Sequence, residues 1–451
     1  KGDTYIEITG GHILTSVYGG NEVTDVLGKT VINMSGGTIG VPRSKSQIDS
    51  RPTTCYLFGA GMGDARVWAN TWTNVQEAEV NVTGGMVFGS VFGGGEEGHV
   101  LANTHVTVSD SAYIGTLGYS DYEGNVYGAG RGFTRKALTA GTIGGNALLD
   151  IKGGTIRGNI YGGGSMASVG TNFTAPNHNN YGQMQEGNDH GCVTINITGG
   201  TIGNDYESVF HYSDRTCGGN VYGGSKGSVT MIDNTQVCSL WPNMAKVKKT
   251  TININQNDTT TIIKGNVYGG AEYGTVTEST EINIEDGTLW RDVYGGGYGS
   301  DNLTMTAILA VLNNSGETPT VESVTVTPME WAGRVQQNAT INIDGGWIKK
   351  SVYGGGNLAS VGTVNRATPT SIALSWPVNF VYKDNTGKAT INVNGGRIGI
   401  TGKDFFGPWN VVNNELVPVK YNNDGSWVAM QKAEIKAISR SEERFSRNAE
   451  T

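Results

Sequence analysis

One short motif constrains this chain more than any other feature: an aliphatic residue, an aromatic residue and a glycine pair, recurring at irregular intervals. It reads Val17-Tyr18-Gly19-Gly20, Val91-Phe92-Gly93-Gly94, Val126-Tyr127-Gly128-Ala129 and Ile160-Tyr161-Gly162-Gly163 in the first half. Val221-Tyr222-Gly223-Gly224, Val267-Tyr268-Gly269-Gly270, Val293-Tyr294-Gly295-Gly296 and Val352-Tyr353-Gly354-Gly355 follow. A fixed motif with variable spacers implies one supersecondary unit used many times, each copy burying its apolar face against the next.

A second motif precedes the first in each unit: two aliphatics flanking one polar residue, then usually Gly-Gly-x-aliphatic. The pairs are Ile6/Ile8, Ile32/Met34, Val80/Val82, Val106/Val108, Leu149/Ile151, Ile195/Ile197, Ile252/Ile254, Ile282/Ile284, Ile341/Ile343 and Ile391/Val393. Their period of two predicts a strand with one buried face. The glycine pair predicts a sharp corner. Two further short strands are expected, at the aliphatic after the corner and at the Val of the aromatic motif. Leu57-Phe58-Gly59 and Phe405-Phe406-Gly407 fill the places where the aromatic motif looks missing. The tightest spacing between pairs is 26 residues, too short for a four-stranded propeller blade. The expected fold is therefore all-β, a right-handed parallel β-helix of about ten coils with loop insertions.

Composition agrees with one long repeat domain over residues 1–400, followed by a cap or a further segment at 401–451. Within that segment, Trp427–Ser446 has a helix-forming composition. Glycine makes up 70 of 451 residues without a collagen period, as corners would require. Net charge is −8 and only 16% of residues are charged, which argues against an extended nucleic-acid-binding surface. No apolar run reaches membrane-spanning length. Lys1 lies just before a strand, so a removed signal peptide or a longer parent chain is expected. Cys217 and Cys238 stand about one unit apart, and either a disulfide or free thiols fit. No cysteine spacing resembles a zinc site.

The polar residue inside the aliphatic pair is Asn in seven of ten copies, from Asn33 and Asn81 to Asn342 and Asn392. Stacked at strand spacing, these amides should hydrogen-bond along the array. The recurring aromatic should form a second ladder, a sugar-stacking platform if it faces solvent and packing if it faces the core. Gly296–Thr304 matches one copy of a calcium nonapeptide, which works only in tandem, so neither a metal nor another cofactor is assigned. No catalytic residue is assigned either. Loop residues His211, Asp214, Arg215, Asp189 and His190 are the candidates should the chain prove to be a polysaccharide lyase or glycoside hydrolase. The ligand-binding candidates are Trp241, Trp331 and Trp376, bulky rings on three insertions. They would form one aromatic groove if the insertions leave a common corner; otherwise each ring pins its own loop.

The pairing of Gly153-Gly154-Thr155-Ile156 with Ile160-Tyr161-Gly162-Gly163-Gly164 resembles repeats of large Gly-rich bacterial surface proteins. It is similar in spirit to the GGA[ILV] repeats of polymorphic outer-membrane and autotransporter adhesins, although the FxxN half of their pattern is absent from the repeats. The resemblance implies secretion, a right-handed β-helix stalk, and adhesion to a glycan or to a host or neighbour surface protein. It brings no catalytic residues. A phage tail spike is a further alternative.

Overall fold

A computed structural model describes residues 2–41, 55–63, 73–115, 123–133, 139–172, 182–204, 218–229, 244–257, 259–301, 305–311, 320–326, 328–366, 380–399, 409–412, 415–421 and 427–429. The chain is all-β, with one four-residue helix at Pro328–Trp331 among the described residues.

All ten aliphatic pairs fall into one register. Ile6, Ile32, Val80, Val106, Leu149, Ile195, Ile252, Ile282, Ile341 and Ile391 are successive Cα partners in parallel strands. Except for the last pair, Ile391 and Val393, which is exposed, their side chains and the aliphatics after the glycine pair form a continuous core that includes Ile32, Leu149, Ile195 and Ile282 at 0% exposure. The aromatic motif forms a separate nine-stranded parallel sheet, and Leu57-Phe58 supplies the copy expected there. Phe405-Phe406 lies outside the described residues.

The expected parallel β-helix of about ten coils, right-handed and with a separate strand on each side of every corner, is not what these pairings form. In Thr4–Ile13, Val26–Ile39, Ala147–Ile156 and Cys192–Ile202 the chain runs through the glycine pair without leaving its sheet. The second glycine of each pair sits in the left-handed region, Gly11 at φ 83°, Gly37 at 79°, Gly154 at 79° and Gly200 at 94°. Register slips beside it. In these four repeats the glycine makes a bulge in a continuous strand rather than a corner, whereas at Gly84-Gly85, Gly345-Gly346 and Gly395-Gly396 the strand stops and a two-residue strand follows. Strand rows expected to be separate merge into one 17-stranded sheet. Within it Val26–Ile39, Asn74–Val82, Thr104–Val108, Ala147–Ile156, Tyr113–Ile114 and Met86–Val87 pair in a closed ring, a six-stranded parallel barrel core.

The first glycine of the aromatic motif is required for a different reason. A Cβ on Gly128, Gly223 or Gly269 would stand 2.1–2.3 Å from the next motif's glycine carbonyl oxygen. The same carbonyls hold the two sheets together: Thr30, Thr104, Thr250 and Thr280 each donate from Oγ1, over 2.6 Å, to the carbonyl of Gly59, Gly128, Gly269 or Gly295.

The aromatic rings stack from Tyr18 through Phe58, Phe92, Tyr127, Tyr161, Tyr222, Tyr268 and Tyr294 to Tyr353, with centroids 4.4–5.1 Å apart. They are packing rather than a platform: Tyr161 and Tyr268 are fully buried, and only Tyr353, at the end, is exposed. A polar row roofs the rings. Tyr18 donates to Glu96 and Tyr161 to Glu272, while Arg131 lies over Tyr56 and Lys226 over Tyr161. Burial pushes the Tyr56 phenol up to about 12, as expected where a phenolate would lose its water.

Within the insertion that follows Asp301, Met305–Val311 and Thr320–Val326 form an antiparallel hairpin. Trp427–Ala429, expected to open a helical cap, is instead a strand paired with Val419–Tyr421.

Candidate functional site

The outward polar row of the large sheet becomes a directed hydrogen-bond chain. Asn392 donates to Asn342, Asn342 to Asn283, Asn283 to Asn253 and Asn253 to Asn196, each over 2.8–2.9 Å. Asn196 donates in turn to Oδ1 of Asp150 over 2.8 Å. A carboxylate can only accept, so its position at this end orients every amide behind it. Each inner amide still has one N–H and one lone pair to offer outward.

Asp150 is itself held as an anion. His105 Nε2 stands 3.0 Å from Oδ2 and Lys152 Nζ 3.8 Å from the same oxygen. The histidine hydrogen bond, more than the bond from Asn196, holds the Asp150 carboxyl below its usual range against the opposing effect of burial. One row over, Lys29 and Asn81 do the same for Glu79.

The array opens into a cleft at one of three repeats that lack the glycine pair, the other two following Val108 and Ile284. After Ile252/Ile254 the glycine pair is replaced by a longer polar run, and the strand divides into Lys249–Ile254 and Thr261–Ile263. Both halves pair with the unbroken Cys192–Ile202. The intervening loop folds across the neighbouring repeat, where Thr259 Oγ1 donates to the Lys152 carbonyl over 3.1 Å. It passes so close to Gly199 that a Cβ there would lie 1.8 Å from Thr259 Oγ1. Thr261 Oγ1 closes the loop on the Asn255 carbonyl at 2.6 Å.

The loop walls a cleft of about 450 Å³ over the amide row, within the range of small-ligand sites. Amides of Asn196, Asn253, Asn255, Asn257 and Asn283 line it, with carboxylates of Asp150 and Glu285 at its two ends. Lys152 and Thr198 complete the polar lining. Asn255 donates to Glu285 over 2.7 Å, leaving the carboxylate further acceptor capacity. Alternating donors and acceptors on a rigid sheet suit a ligand with many hydroxyl groups.

The sequence candidates fall elsewhere. Trp331 is 7% exposed in the short helix Pro328–Trp331, and its carbonyl accepts from Thr275 Oγ1, so its ring offers no open platform. Trp241 and Trp376 lie outside the described residues, as do His211, Asp214, Arg215, Cys217 and Cys238. His190 is bonded to the Gly144 carbonyl at 2.9 Å, and Asp189 is exposed. Asn302–Thr304 of the nonapeptide are also outside the described residues. Among the described residues no three His, Cys, Asp or Glu side chains converge as metal ligands would. No described helix is long and apolar enough to cross a membrane. Reading the sequence identified Asp150, Asn196, Asn253 and Asn283 as ladder members but missed Lys152, Asn255, Asn257 and Glu285. The longer polar run Asn255–Thr260, in place of the glycine pair after Ile254, was the available signal.

No protein-family model, curated protein or solved structure matches the chain.

Proposed function

We propose that this is a non-catalytic extracellular or bacterial cell-surface protein that binds glycans, with the amide-lined cleft as its binding site. The observation that carries this reading is the cleft's inventory: five amides, two carboxylates, one ammonium and a hydroxyl on a parallel sheet and the loop that walls it. Sugar hydroxyls both donate and accept, and such a lining meets them along the ladder direction without rearrangement. Secretion and display are supported by the likeness of the glycine-rich repeats to those of bacterial surface adhesins. Asp150 is held ionised by His105, which suits hydrogen-bond acceptance rather than proton donation to a leaving group.

A glycan array carrying neutral oligosaccharides, followed by titration of the best binder, tests the proposal. Glu285→Ala and Asn257→Ala should each weaken binding about tenfold, the loss of a well-placed polar interaction, without changing the melting temperature by more than a few degrees. No neutral glycan binding, or binding unchanged in both variants, would overturn it. Release of reducing ends or unsaturated products, abolished by Asp150→Asn, would replace it with a carbohydrate-active enzyme.

A further inference from the structure

A second surface lies on the far side of the glycine bulges, on the positions just before and just after the buried aliphatics Ile114, Ile156, Ile202, Ile263, Leu289 and Ile348 and the exposed Ile398 that ends their row. From Tyr113 to Gly399 these positions carry four cations, Arg157, Lys264, Lys349 and Arg397, and no acid. That is a local excess of positive charge on a chain whose net charge is −8.

Two tryptophans order the cations. Lys264 and Lys349 approach the Trp290 ring with Nζ 5.6 and 4.5 Å from its centroid. Lys349 and Arg397 approach Trp347 at 4.8 and 4.4 Å. Trp347 is fixed by its Nε1 donation to the Gly399 carbonyl over 2.9 Å. Trp290, 43% exposed, is among the most exposed large apolar side chains of the described residues. Cations and rings thus alternate along successive strands. With cations over the rings, a sugar stack is disfavoured, and what the strip presents is a line of ordered positive charge edged by indole.

We propose that this strip binds an anionic polysaccharide, a chain bearing carboxylate or sulfate groups that lies along the ladder. The charge is complementary, and the rings hold the long cationic side chains in place, reducing the entropy lost on binding. The strip is narrow on an otherwise acidic molecule. A slender chain can touch it alone, whereas a duplex or a membrane would also cover surface beyond it on a molecule whose net charge is −8. This site is independent of the cleft and would stand if the cleft bound nothing.

The probes are size-defined polygalacturonate for carboxylate and heparin fragments for sulfate, with dextran as the neutral control, titrated at low and at physiological salt. Wild-type protein should bind at least one anionic probe over dextran, with affinity falling as salt rises. Replacing Lys264, Lys349 and Arg397 together by Gln should weaken binding by about tenfold or more, since every cation removed leaves fewer counterions to be released when the polyanion binds. Lys349→Gln alone, a milder change should the triple variant misfold, should weaken it several-fold, and Lys349→Arg should preserve it. Glu285→Ala should leave anionic binding intact, which separates this site from the cleft. The proposal falls if dextran binds as well as both anionic probes, or if folded Gln variants bind like wild type. It also falls if a DNA duplex binds as tightly at the same salt, because the strip would then be reading charge alone.

Discussion

At the scale of the residue, Asp150 illustrates how one side chain orients many. Its carboxylate ends the amide chain and accepts from Asn196 while facing His105 and Lys152. Because its folded pKa is depressed, the stability it contributes is present above its unfolded value of 3.8 and is lost as pH falls through the lower folded value. Asp150→Asn keeps an acceptor for Asn196 but removes the charge. The variant should be less stable at pH 7 by about 1 kcal/mol, the scale of one charge-assisted hydrogen bond at a partly exposed site. The gap in melting temperature should close as pH falls below the unfolded value of 3.8, and a gap of constant size from neutral pH into strong acid would exclude the linkage.

At the scale of the element, the glycines divide into two classes that look alike in sequence. Those of the bulges are set by backbone angle and, beyond the first rung, by close approach as well: Gly37, Gly154 and Gly200 lie at φ 79–94°, and a Cβ on each would also stand 2.7 Å from a carbonyl oxygen. Gly11, at φ 83°, has open space around a built Cβ, so Gly11→Ala should cost only the left-handed strain, about 1 kcal/mol. Those of the aromatic motif are chosen for close approach. Gly223 has no unusual φ, but a Cβ on it would meet the Gly269 carbonyl at 2.1 Å, and that oxygen is backbone. The carbonyl also accepts from Thr250, so it cannot move aside without losing a bond between sheets. Gly223→Ala should therefore destabilise by more than Gly11→Ala, by about 3 kcal/mol or more. Chemical denaturation of both variants checks the order; equal losses would show that the close approach at Gly223 adds no cost beyond that of the left-handed strain at Gly11.

At the scale of the whole molecule, every repeat shares one core, so damage in a single rung should be felt far from it. Ile195→Asp places a charge at a fully buried position and should destabilise by several kcal/mol. Thr194→Asp, on the outward face of the same strand, should shift the melting temperature by only a few degrees. Thermal melts followed by circular dichroism distinguish the two, and comparable losses would mean that the two faces are misassigned. Much of this was legible in the sequence. The alternation at Ile195 and Ile197 specifies which side is buried, because a period of two has only one solution against water. The in-register repeat follows from ten such pairs, and the amide ladder from the Asn between them. What only the tertiary structure decided depends on neighbours distant in the chain. Whether Gly36-Gly37 ends a strand or bulges within it is settled by hydrogen bonds to adjacent repeats, and that choice merges two expected strand rows and closes the six-stranded ring. The tyrosines are buried because residues such as Glu272 roof them, 111 positions from Tyr161. The cleft and the cationic strip likewise assemble from side chains on successive rungs, separated by insertions of unequal length. Local pattern determines each strand's faces, whereas proximity between repeats is set by register, which the variable spacers conceal.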